Sequence, residues 1–397
     1  MEGTCEPLMK NARFVRLWAG QGISFVGDFV SMVAMVILVV ELSGSASAVG
    51  GLLVARLLPT LASPLAGVLA DRLDRRAVLV ACDLARAALV FGAIFARDLA
   101  ALYAIGFLMG AARTLFNPTI RAAFPSVVGG GDLTRANAFI SGTFSVSFTV
   151  GPALGGLLVA TVGVEAAFVL DAATYLVSAA FLSRVPMPRP ERVEGVSFAQ
   201  ELRAGFGYLA GARVPLAIVV GAFLTILTVN ITVPAEVFLA RETFEAGDAG
   251  YGLLVGFWGG GTVLGSALIT VMGDRINLLP LYFVGIFASA LALAGTGIAP
   301  TFALALGALT VAGISNGVDS VATDTILQKR VPDALLGRVF ATRFLTYSVG
   351  EAIAYPVGGL IVDHVGARST YLVAGAATAV AGLAVLLVIA AAPTKST

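Results

Sequence analysis

Charged side chains are scarce in this chain of 397 residues. Only 12% of the residues are charged, whereas 58% are hydrophobic, and the mean hydropathy is +0.94. A soluble globular chain carries about 25% charged residues, so this chain has too little polar surface to coat a water-soluble particle. The composition therefore excludes an ordinary soluble domain and predicts a polytopic membrane protein.

Cysteine and histidine are also scarce, and the net charge is only +1. The two cysteines, Cys5 and Cys82, are too few for a disulfide framework, and the single histidine, His364, excludes a multi-histidine metal site. No Gly-x-x-x-x-Gly-Lys-[Ser/Thr] phosphate loop occurs, so ATP is not the expected energy source. A net charge this close to zero gives no positive electrostatic field to attract nucleic acid, so no nucleic-acid partner is expected. We expect neither an enzyme nor a protein with a cofactor or metal.

Twelve apolar runs are long enough to cross a bilayer as helices. About 20 apolar residues span a hydrocarbon core, and these runs lack the alternation typical of membrane barrels. The first run is too long for a signal-peptide core, so we expect it to be a membrane span. The predicted spans cover residues 17–42, 48–70, 78–97, 99–122, 133–162, 165–183, 214–238, 249–272, 278–298, 301–327, 339–362 and 368–391.

The distribution of lysine and arginine predicts the orientation of the chain. If the N-terminus is cytoplasmic, the segments on that side hold 18 of the 25 basic residues and the opposite segments hold three. Cytoplasmic loops carry this excess of basic residues, so both termini are expected in the cytoplasm. The membrane is expected to be the cytoplasmic (inner) membrane. The expected parts are an N-terminus (1–16), a six-helix half (17–183), a linker (184–213), a second six-helix half (214–391) and a tail (392–397).

Two sequence features concern how these parts are organised. The linker carries an amphipathic segment from Ser197 onward, which favours an interfacial helix, with a regulatory binding segment as the alternative.

The two halves of the sequence also match each other at a shift of 203 residues. This match predicts an all-α membrane protein with twelve transmembrane helices in two pseudo-symmetric halves. Two such halves around a midplane cavity form a transporter architecture. The matches are Asp71-Arg72 with Asp274-Arg275, Arg135 with Arg338, and Gly155-Gly156-Leu157 with Gly358-Gly359-Leu360.

The loop after the second predicted span reads Gly67-Val-Leu-Ala-Asp71-Arg72-Leu-Asp74-Arg75-Arg76. It resembles the signature of the major facilitator superfamily, which has Gly, three residues, Asp-Arg and a basic pair. Asp74 stands where glycine is usual in that signature, which leaves the tight turn open to question. The resemblance implies a gating role for this loop, since charged residues can interact with facing helix ends. The alternative is that the basic residues of this loop only set the orientation of the chain in the membrane. The gating residues are Gly67, Asp71, Arg72, Arg75 and Arg76.

Predicted span 5 contains Ser147-Phe-Thr-Val-Gly151-Pro152-Ala-Leu-Gly155-Gly156. This segment is similar to the antiporter signature of drug/proton exchangers, with Ser147 in place of its first glycine. Gly151, Gly155 and Gly156 would let helices approach closely, and Pro152 removes one backbone donor. The opening segment from Arg13 to Asp28 resembles the branch that contains macrolide-efflux and enterobactin-export proteins, as do the segments Cys82-Asp83-Leu-Ala-Arg86 and Asp132-Leu-Thr-Arg135-Ala-Asn137. The resemblance implies multidrug efflux by proton antiport, and antibiotic resistance.

Polar side chains recur at helical spacing within several spans. An arginine at the centre of a span costs ~2.5–3.5 kcal/mol, so Arg56, Arg86, Arg113 and Arg343 are expected to face carboxylates or water. Ionisable groups in a bilayer are functional candidates by default. The candidates for the substrate cavity are Gln21, Ser24, Asn117, Asn316, Arg343 and Tyr347.

Carboxylates are the candidates for proton coupling, because His364 lies near the end of its predicted span. Asp28 comes first, since it lies mid-span on a polar stripe; a structural hydrogen bond to a neighbouring span is the alternative. Asp83 and Arg86 are expected to form a structural pair. Arg113 resembles the family's arginine in span 4, which is proposed to pair with the coupling acid. The further candidates for the coupling carboxylate are Asp171, Glu236 and Glu351.

These features together predict a secondary active efflux transporter with alternating access. Its expected partners are hydrophobic or amphipathic small molecules, protons and the lipid bilayer, and it is expected to act as a monomer. The alternatives are a dedicated exporter of one metabolite, such as a siderophore, and a proton-independent lipid scramblase or membrane scaffold.

Overall fold

The computed structural model describes residues 8–70, 72–128, 132–187, 198–273 and 277–391. Within these ranges the chain is helical and contains no strand. Ten of the described helices are long and apolar enough to cross a membrane. The helices are α1 Ala12–Ser43, α2 Ala46–Leu57, α3 Ser63–Ala70, α4 Arg75–Gly92, α5 Leu99–Val128, α6 Leu133–Val162, α7 Val164–Leu182, α8 Phe198–Gly211, α9 Arg213–Asn230, α10 Ala235–Phe238, α11 Gly247–Met272, α12 Leu278–Ile298, α13 Phe302–Arg330 and α14 Asp333–Ala390.

Two places account for the difference between ten long helices and twelve predicted spans. The second span is divided into α2 and α3, which are joined by a 3-10 turn over Leu58–Ala62 that contains Pro59. Helix α14 covers spans 11 and 12, and Gly366 interrupts it with a non-helical backbone at φ 82°. Glycine adopts this left-handed region without the steric cost of a side chain. The predicted all-α membrane fold is confirmed.

Side-chain caps fix the beginning of several helices. The Asn11 side chain accepts hydrogen bonds from the backbone N–H groups of Arg13 and Phe14, which starts α1. Asp74 accepts from Ala77 N at 2.9 Å and starts α4. With φ −63° and ψ 112° its backbone is extended and its φ is negative, so this position does not need the glycine that the superfamily signature usually has there.

The chain groups into two compact units. Unit 1 consists of Met1–Gly44, Ala55–Glu194 and Asp248–Gly252, and unit 2 consists of Ser45–Val54, Gly195–Gly247 and Leu253–Thr397. Each unit therefore contains one short segment from the other sequence half. Part of the predicted linker forms α8, which packs on α14 in unit 2. A methyl group at Gly205 would lie 2.6 Å from the Arg338 carbonyl oxygen.

In unit 1, small residues bring α1 against its neighbours α6 and α7. A methyl group at Gly151 of α6 would lie 2.7 Å from Phe29 Cβ, and one at Gly155 would lie 3.0 Å from Val30 Cα. On the α7 side, a methyl group at Gly27 would overlap the side chains of both Thr174 and Asp171. Helix α4 packs against α5 and α7. This packing places polar stripes of α1, α4, α5 and α7 close together.

In unit 2, α14 packs against α9 and α12 and also against the first turns of α2. A methyl group at Gly359 would lie 2.5 Å from the Ala46 carbonyl oxygen, and one at Gly50 would lie 2.5 Å from that of Tyr355. The two backbones can approach only because neither glycine has a side chain.

Candidate functional site

A cavity of about 800 Å³ lies within unit 1 among α1, α4, α5 and α6. Pockets of ~300–1,000 Å³ are typical of sites for drug-sized ligands. Its lining combines several phenylalanine rings with polar side chains. The polar lining residues are Gln21, Ser24, Asp28, Arg86, Arg113, Asn117, Arg121, Asn137, Ser141 and Ser145.

Five of the predicted candidates line this one cavity. Gln21 and Ser24 are mostly buried in the wall of α1, whereas Asp28 is half-buried. Arg113 and Asn117, four residues apart on α5, are exposed. Helical spacing places these side chains on one face of each helix.

Asp28 connects the cavity to the interior of unit 1. One of its carboxylate oxygens accepts a hydrogen bond from the hydroxyl group of Tyr175, which is fully buried on α7. Its second oxygen has no hydrogen-bond partner among the described residues. Because the residue also lines the cavity, this second oxygen can be reached by water or a ligand.

Of the predicted pair of Asp83 and Arg86, Arg86 lines the cavity and Asp83 does not. Both side chains are buried and their charged groups are in contact. The Arg86 guanidinium also lies between two aromatic rings, 4.4 Å from the centroid of Phe116 and 4.5 Å from that of Tyr175. It is close enough to Asp28 to interact with it electrostatically. Its charge is thus stabilised by a carboxylate and by two π-faces.

Asp171, another coupling candidate, is fully buried and does not line the cavity. Its Oδ1 atom accepts a hydrogen bond from the hydroxyl group of Thr174 at 3.1 Å. Its Oδ2 atom has no partner within the described part of the chain. Gly27 leaves the room that this carboxylate needs beside α1.

The four arginines within spans have different surroundings. Arg86 and Arg343 contact carboxylates, those of Asp83 and Asp324 respectively. Arg113 faces the cavity. The half-buried Arg56 instead donates to the sulfur of Met35 at 3.6 Å, which is a weaker acceptor than the expected carboxylate or water.

The remaining polar candidates lie in unit 2 and do not line the unit 1 cavity. Glu351 accepts a hydrogen bond from the Tyr355 hydroxyl at 3.1 Å, and Glu236 is buried in α10 with 8% exposure. Asn316 donates to the Thr262 hydroxyl at 3.4 Å, and Tyr347 is 40% exposed.

Four of the five predicted gating residues lie within the described part of the chain. Gly67 has open space around it, Arg72 and Arg76 are exposed, and Arg75 is half-buried. Asp71 and the pair Asp274-Arg275 lie outside the described residues, so the loop signature is described only in part.

The glycine-rich segment of α6 lies in close packing throughout. Besides the contacts of Gly151 and Gly155 with α1, Gly156 packs against the short α11 segment of unit 1, where a methyl group would lie 2.9 Å from Gly252 Cα. Pro152 is buried within the helix.

Sequence reasoning missed Tyr175 and the aromatic part of the cavity wall. Tyr175 follows Asp171 by four residues on the same helical face, and that spacing is the signal that could have found it. The aromatic lining has no such signal, because a phenylalanine facing lipid and one facing a cavity look alike in sequence. The lining phenylalanines are Phe25, Phe116, Phe124 and Phe144.

The whole chain matches one protein family. Residues 2–396 fit the family described as "Transmembrane secretion effector". The chain belongs to this family of major facilitator transporters. The protein is therefore a multi-pass membrane protein of an efflux transporter family rather than an enzyme.

Several relatives of this major facilitator protein are exporters by name. Macrolide efflux protein A of Streptococcus pyogenes is 22% identical, with 91% of this chain and 92% of that protein covered. The enterobactin exporter EntS of Escherichia coli O1:K1 / APEC is 27% identical, with 81% and 78% covered. An uncharacterized MFS-type transporter of Bacillus subtilis (strain 168) is 25% identical, with 96% and 94% covered.

Solved structures support the same fold. The crystal structure of the nucleoside transporter NupG matches with a TM-score of 0.76 at 14% identity, over 95% of this chain and 99% of that one. At this identity the likeness concerns the fold alone.

Proposed function

We propose that this protein exports hydrophobic or amphipathic small molecules across the cell membrane in exchange for protons. The observation that carries the proposal is Asp28, a carboxylate within a membrane span that faces the unit 1 cavity while it accepts a hydrogen bond from Tyr175. Ionisable groups within spans are costly and mark ion or substrate pathways. The proton gradient supplies the energy, and no cofactor takes part.

Asp28 is suited to exchange protons because its two oxygens have different surroundings. One accepts a hydrogen bond from Tyr175, the other has no hydrogen-bond partner among the described residues, and the residue lines the cavity. A proton on Asp28 cancels the attraction between its carboxylate and the nearby guanidinium of Arg86. Such a local change of charge can bias a two-state element, here the packing of α1 and of α4 against α7. Asp171 is fully buried and is close enough to Asp28 to interact with it electrostatically.

The energy of one proton is sufficient for useful export. Moving one charge across 100 mV yields ~2.3 kcal/mol, whereas each tenfold step in concentration costs ~1.4 kcal/mol. One proton per neutral substrate thus sustains a gradient of more than tenfold. We propose that both termini lie in the cytoplasm and that the monomer is the transporting unit. We also propose that the helix contacts of the tightly packed glycines of α6 change during alternating access.

A dedicated exporter of one metabolite is the second candidate function. The relative named as an enterobactin exporter favours it, just as the macrolide efflux relative favours a drug exporter that confers antibiotic resistance. Expression in a drug-sensitive host separates the two, because a drug exporter protects against several unrelated compounds and a dedicated exporter protects against few.

The proposal is tested by proton movement in proteoliposomes that contain a pH-sensitive dye. A panel of lipophilic cations and macrolides is added to wild type, to Asp28→Asn and to a matched control, Asp98→Asn. Asp98 caps α5 through the backbone N–H of Ala101 and does not line the cavity. We expect substrate-driven proton movement with wild type and with the control, and none with Asp28→Asn.

Two results would contradict the proposal. Substrate flux without proton movement would leave a facilitator or a scramblase. Proton movement that persists in Asp28→Asn would assign the coupling to another carboxylate, with Asp171, Glu236 and Glu351 as the next variants. If no compound on the panel moves, metabolites form the next panel, as a dedicated exporter requires.

A further inference from the structure

Unpaired positive charge lies along the α5 wall of the unit 1 cavity. Arg113, Asn117 and Arg121 follow one another at intervals of four residues, and all three are exposed on the cavity lining. None of the three has a hydrogen-bond or ion-pair partner within the ranges that the structure describes. Their donors are therefore available to a ligand.

The positive-inside tendency does not account for this stripe as a whole. Arg121 lies near the end of a predicted span, where basic residues are common. Arg113 precedes it by eight residues, which is about 12 Å along a helix with a rise of 1.5 Å per residue. An arginine so far within a span is costly unless a function retains it.

Asp28, on α1, provides negative charge in the lining of the same cavity. Tyr175 occupies one of its oxygens, and the other has no hydrogen-bond partner among the described residues. The third lining guanidinium, that of Arg86, is in contact with Asp83 and stacked between two rings, so it is not available to a ligand in the same way. The charged groups left for a ligand are one carboxylate oxygen of Asp28 and the guanidinium groups of Arg113 and Arg121.

The rest of the wall is aromatic. Phe25 and Phe144 meet edge to face with their ring centroids 5.3 Å apart, and Phe116 and Phe124 complete the apolar part of the lining. Aromatic walls of this kind hold apolar or aromatic groups of a ligand.

We infer that the unit 1 cavity binds zwitterionic amphiphiles: molecules with a cationic amine that pairs with Asp28, an anionic group such as a carboxylate that pairs with Arg113 and Arg121, and an apolar body against the phenylalanines. The inference rests on the proposed export function and names its substrate class. A purely cationic molecule leaves the guanidinium groups unpaired, and a purely anionic one meets like charge at Asp28, so both bind less well. An ammonium group at Asp28 also competes with a proton for the same oxygen, as exchange requires.

The test uses four dipeptides that share the same apolar side chains and differ in their terminal groups and charges. L-phenylalanyl-L-phenylalanine has a free amine and a free carboxylate; its N-acetyl form, its amide and the doubly blocked form lack one charge, the other, or both. Their affinities for the purified full-length protein are measured by calorimetry near neutral pH. We expect the zwitterion to bind about tenfold or more tightly than either singly blocked form, since each loses a charged partner within the cavity.

Variants identify which side chain recognises which charge. Arg113→Gln should remove the preference for a free carboxylate and keep that for a free amine, whereas Asp28→Asn should do the reverse. Arg113→Lys should retain part of the carboxylate preference, which shows that the charge matters rather than the packing. Arg135→Gln is the matched control, because Arg135 pairs with Asp132 outside the cavity lining and is 75% exposed; it should change none of the four affinities.

The inference is wrong if the doubly blocked peptide binds as tightly as the zwitterion, or if none of the four compounds binds. Its failure can be told apart from that of the proposed function. Charge-dependent binding without substrate-driven proton movement in proteoliposomes would refute proton exchange and leave the binding site. Proton-coupled transport of uncharged molecules alone would refute the zwitterion site and leave the exchange.

Discussion

Tyr175 has the central position among the buried polar residues of unit 1. Its hydroxyl group holds Asp28, and its ring covers the guanidinium of Arg86, which in turn pairs with Asp83. The cavity carboxylate and the buried ion pair are therefore connected through one side chain. Substitutions at these positions should have different consequences for stability and for coupling.

The first prediction concerns the buried pair of Asp83 and Arg86. Asp83→Leu leaves a buried guanidinium without its carboxylate, and we expect a loss of roughly 3–5 kcal/mol in unfolding free energy, typical of breaking a buried pair. The double variant Asp83→Leu/Arg86→Met should recover most of this loss, because no charge remains buried. Thermal unfolding in detergent measures both. A single variant as stable as wild type would show that Arg86 finds other partners.

The second prediction separates the hydroxyl group of Tyr175 from its ring. Tyr175→Phe keeps the ring over Arg86 and removes the hydrogen bond to Asp28, so thermal stability should stay close to wild type while substrate-driven proton movement falls. Tyr175→Ala also removes the ring and leaves a cavity, with an expected cost of roughly 3–5 kcal/mol. Equal proton movement in wild type and Tyr175→Phe would mean that the hydroxyl group does not position Asp28.

At the scale of helices, close approach depends on a few glycines, and this gives the third prediction. Gly155→Ala places a methyl group 3.0 Å from the Val30 backbone of α1, and overpacking of this kind costs roughly 1–3 kcal/mol. Gly142→Ala is the matched control on the same helix, because nothing lies within 4 Å of a methyl group there. The control should be neutral or slightly stabilised, since alanine favours helix over glycine. Equal unfolding temperatures for the two variants would contradict the packing argument.

The fourth prediction concerns the first turn of α2. The Asp363 carboxylate, on α14, accepts hydrogen bonds from Ala46 N at 2.7 Å, Ser47 N at 3.0 Å and the Ser45 hydroxyl at 2.8 Å. It thus acts as an N-cap supplied by another helix, and Asp363→Ala should lower the unfolding free energy by roughly 0.5–2 kcal/mol, as lost caps do. The exposed neighbour variant, His364→Ala, should unfold at the wild-type temperature. A larger effect at His364 than at Asp363 would refute the capping role.

The membrane-spanning helices were largely predictable from sequence, whereas the breaks within them were less predictable. Long apolar runs identify spans because each must satisfy its own backbone hydrogen bonds within lipid. The division of span 2 around Pro59 and the break at Gly366 depend on local backbone geometry, which hydropathy does not record. Asp74 shows the same limit: its capping bond to Ala77 makes the usual glycine unnecessary, and only the structure reveals the φ value.

For the whole molecule, the sequence predicted the class of protein better than the arrangement of the site. Helical spacing placed Asp28 and Arg113 on separate polar stripes, and the structure brings both to one cavity. Helical spacing also made Asp171 a further coupling candidate after Asp28, although Asp171 is fully buried and does not line the cavity. Which of two stripes faces a cavity depends on contacts between helices far apart in the chain, and spacing within one helix does not contain that information.

The last prediction concerns the orientation of the whole chain in the membrane. The proposed topology follows from 18 basic residues on one side against three on the other, an asymmetry that normally fixes orientation. Single cysteines are introduced into a chain in which Cys5 and Cys82 have been replaced, at four exposed positions. Arg76→Cys and Asn277→Cys should react with a membrane-impermeant maleimide only after permeabilisation, whereas Arg97→Cys and His364→Cys should react in intact cells. Labelling of Arg76→Cys in intact cells would contradict the proposed topology and place both termini outside the cytoplasm.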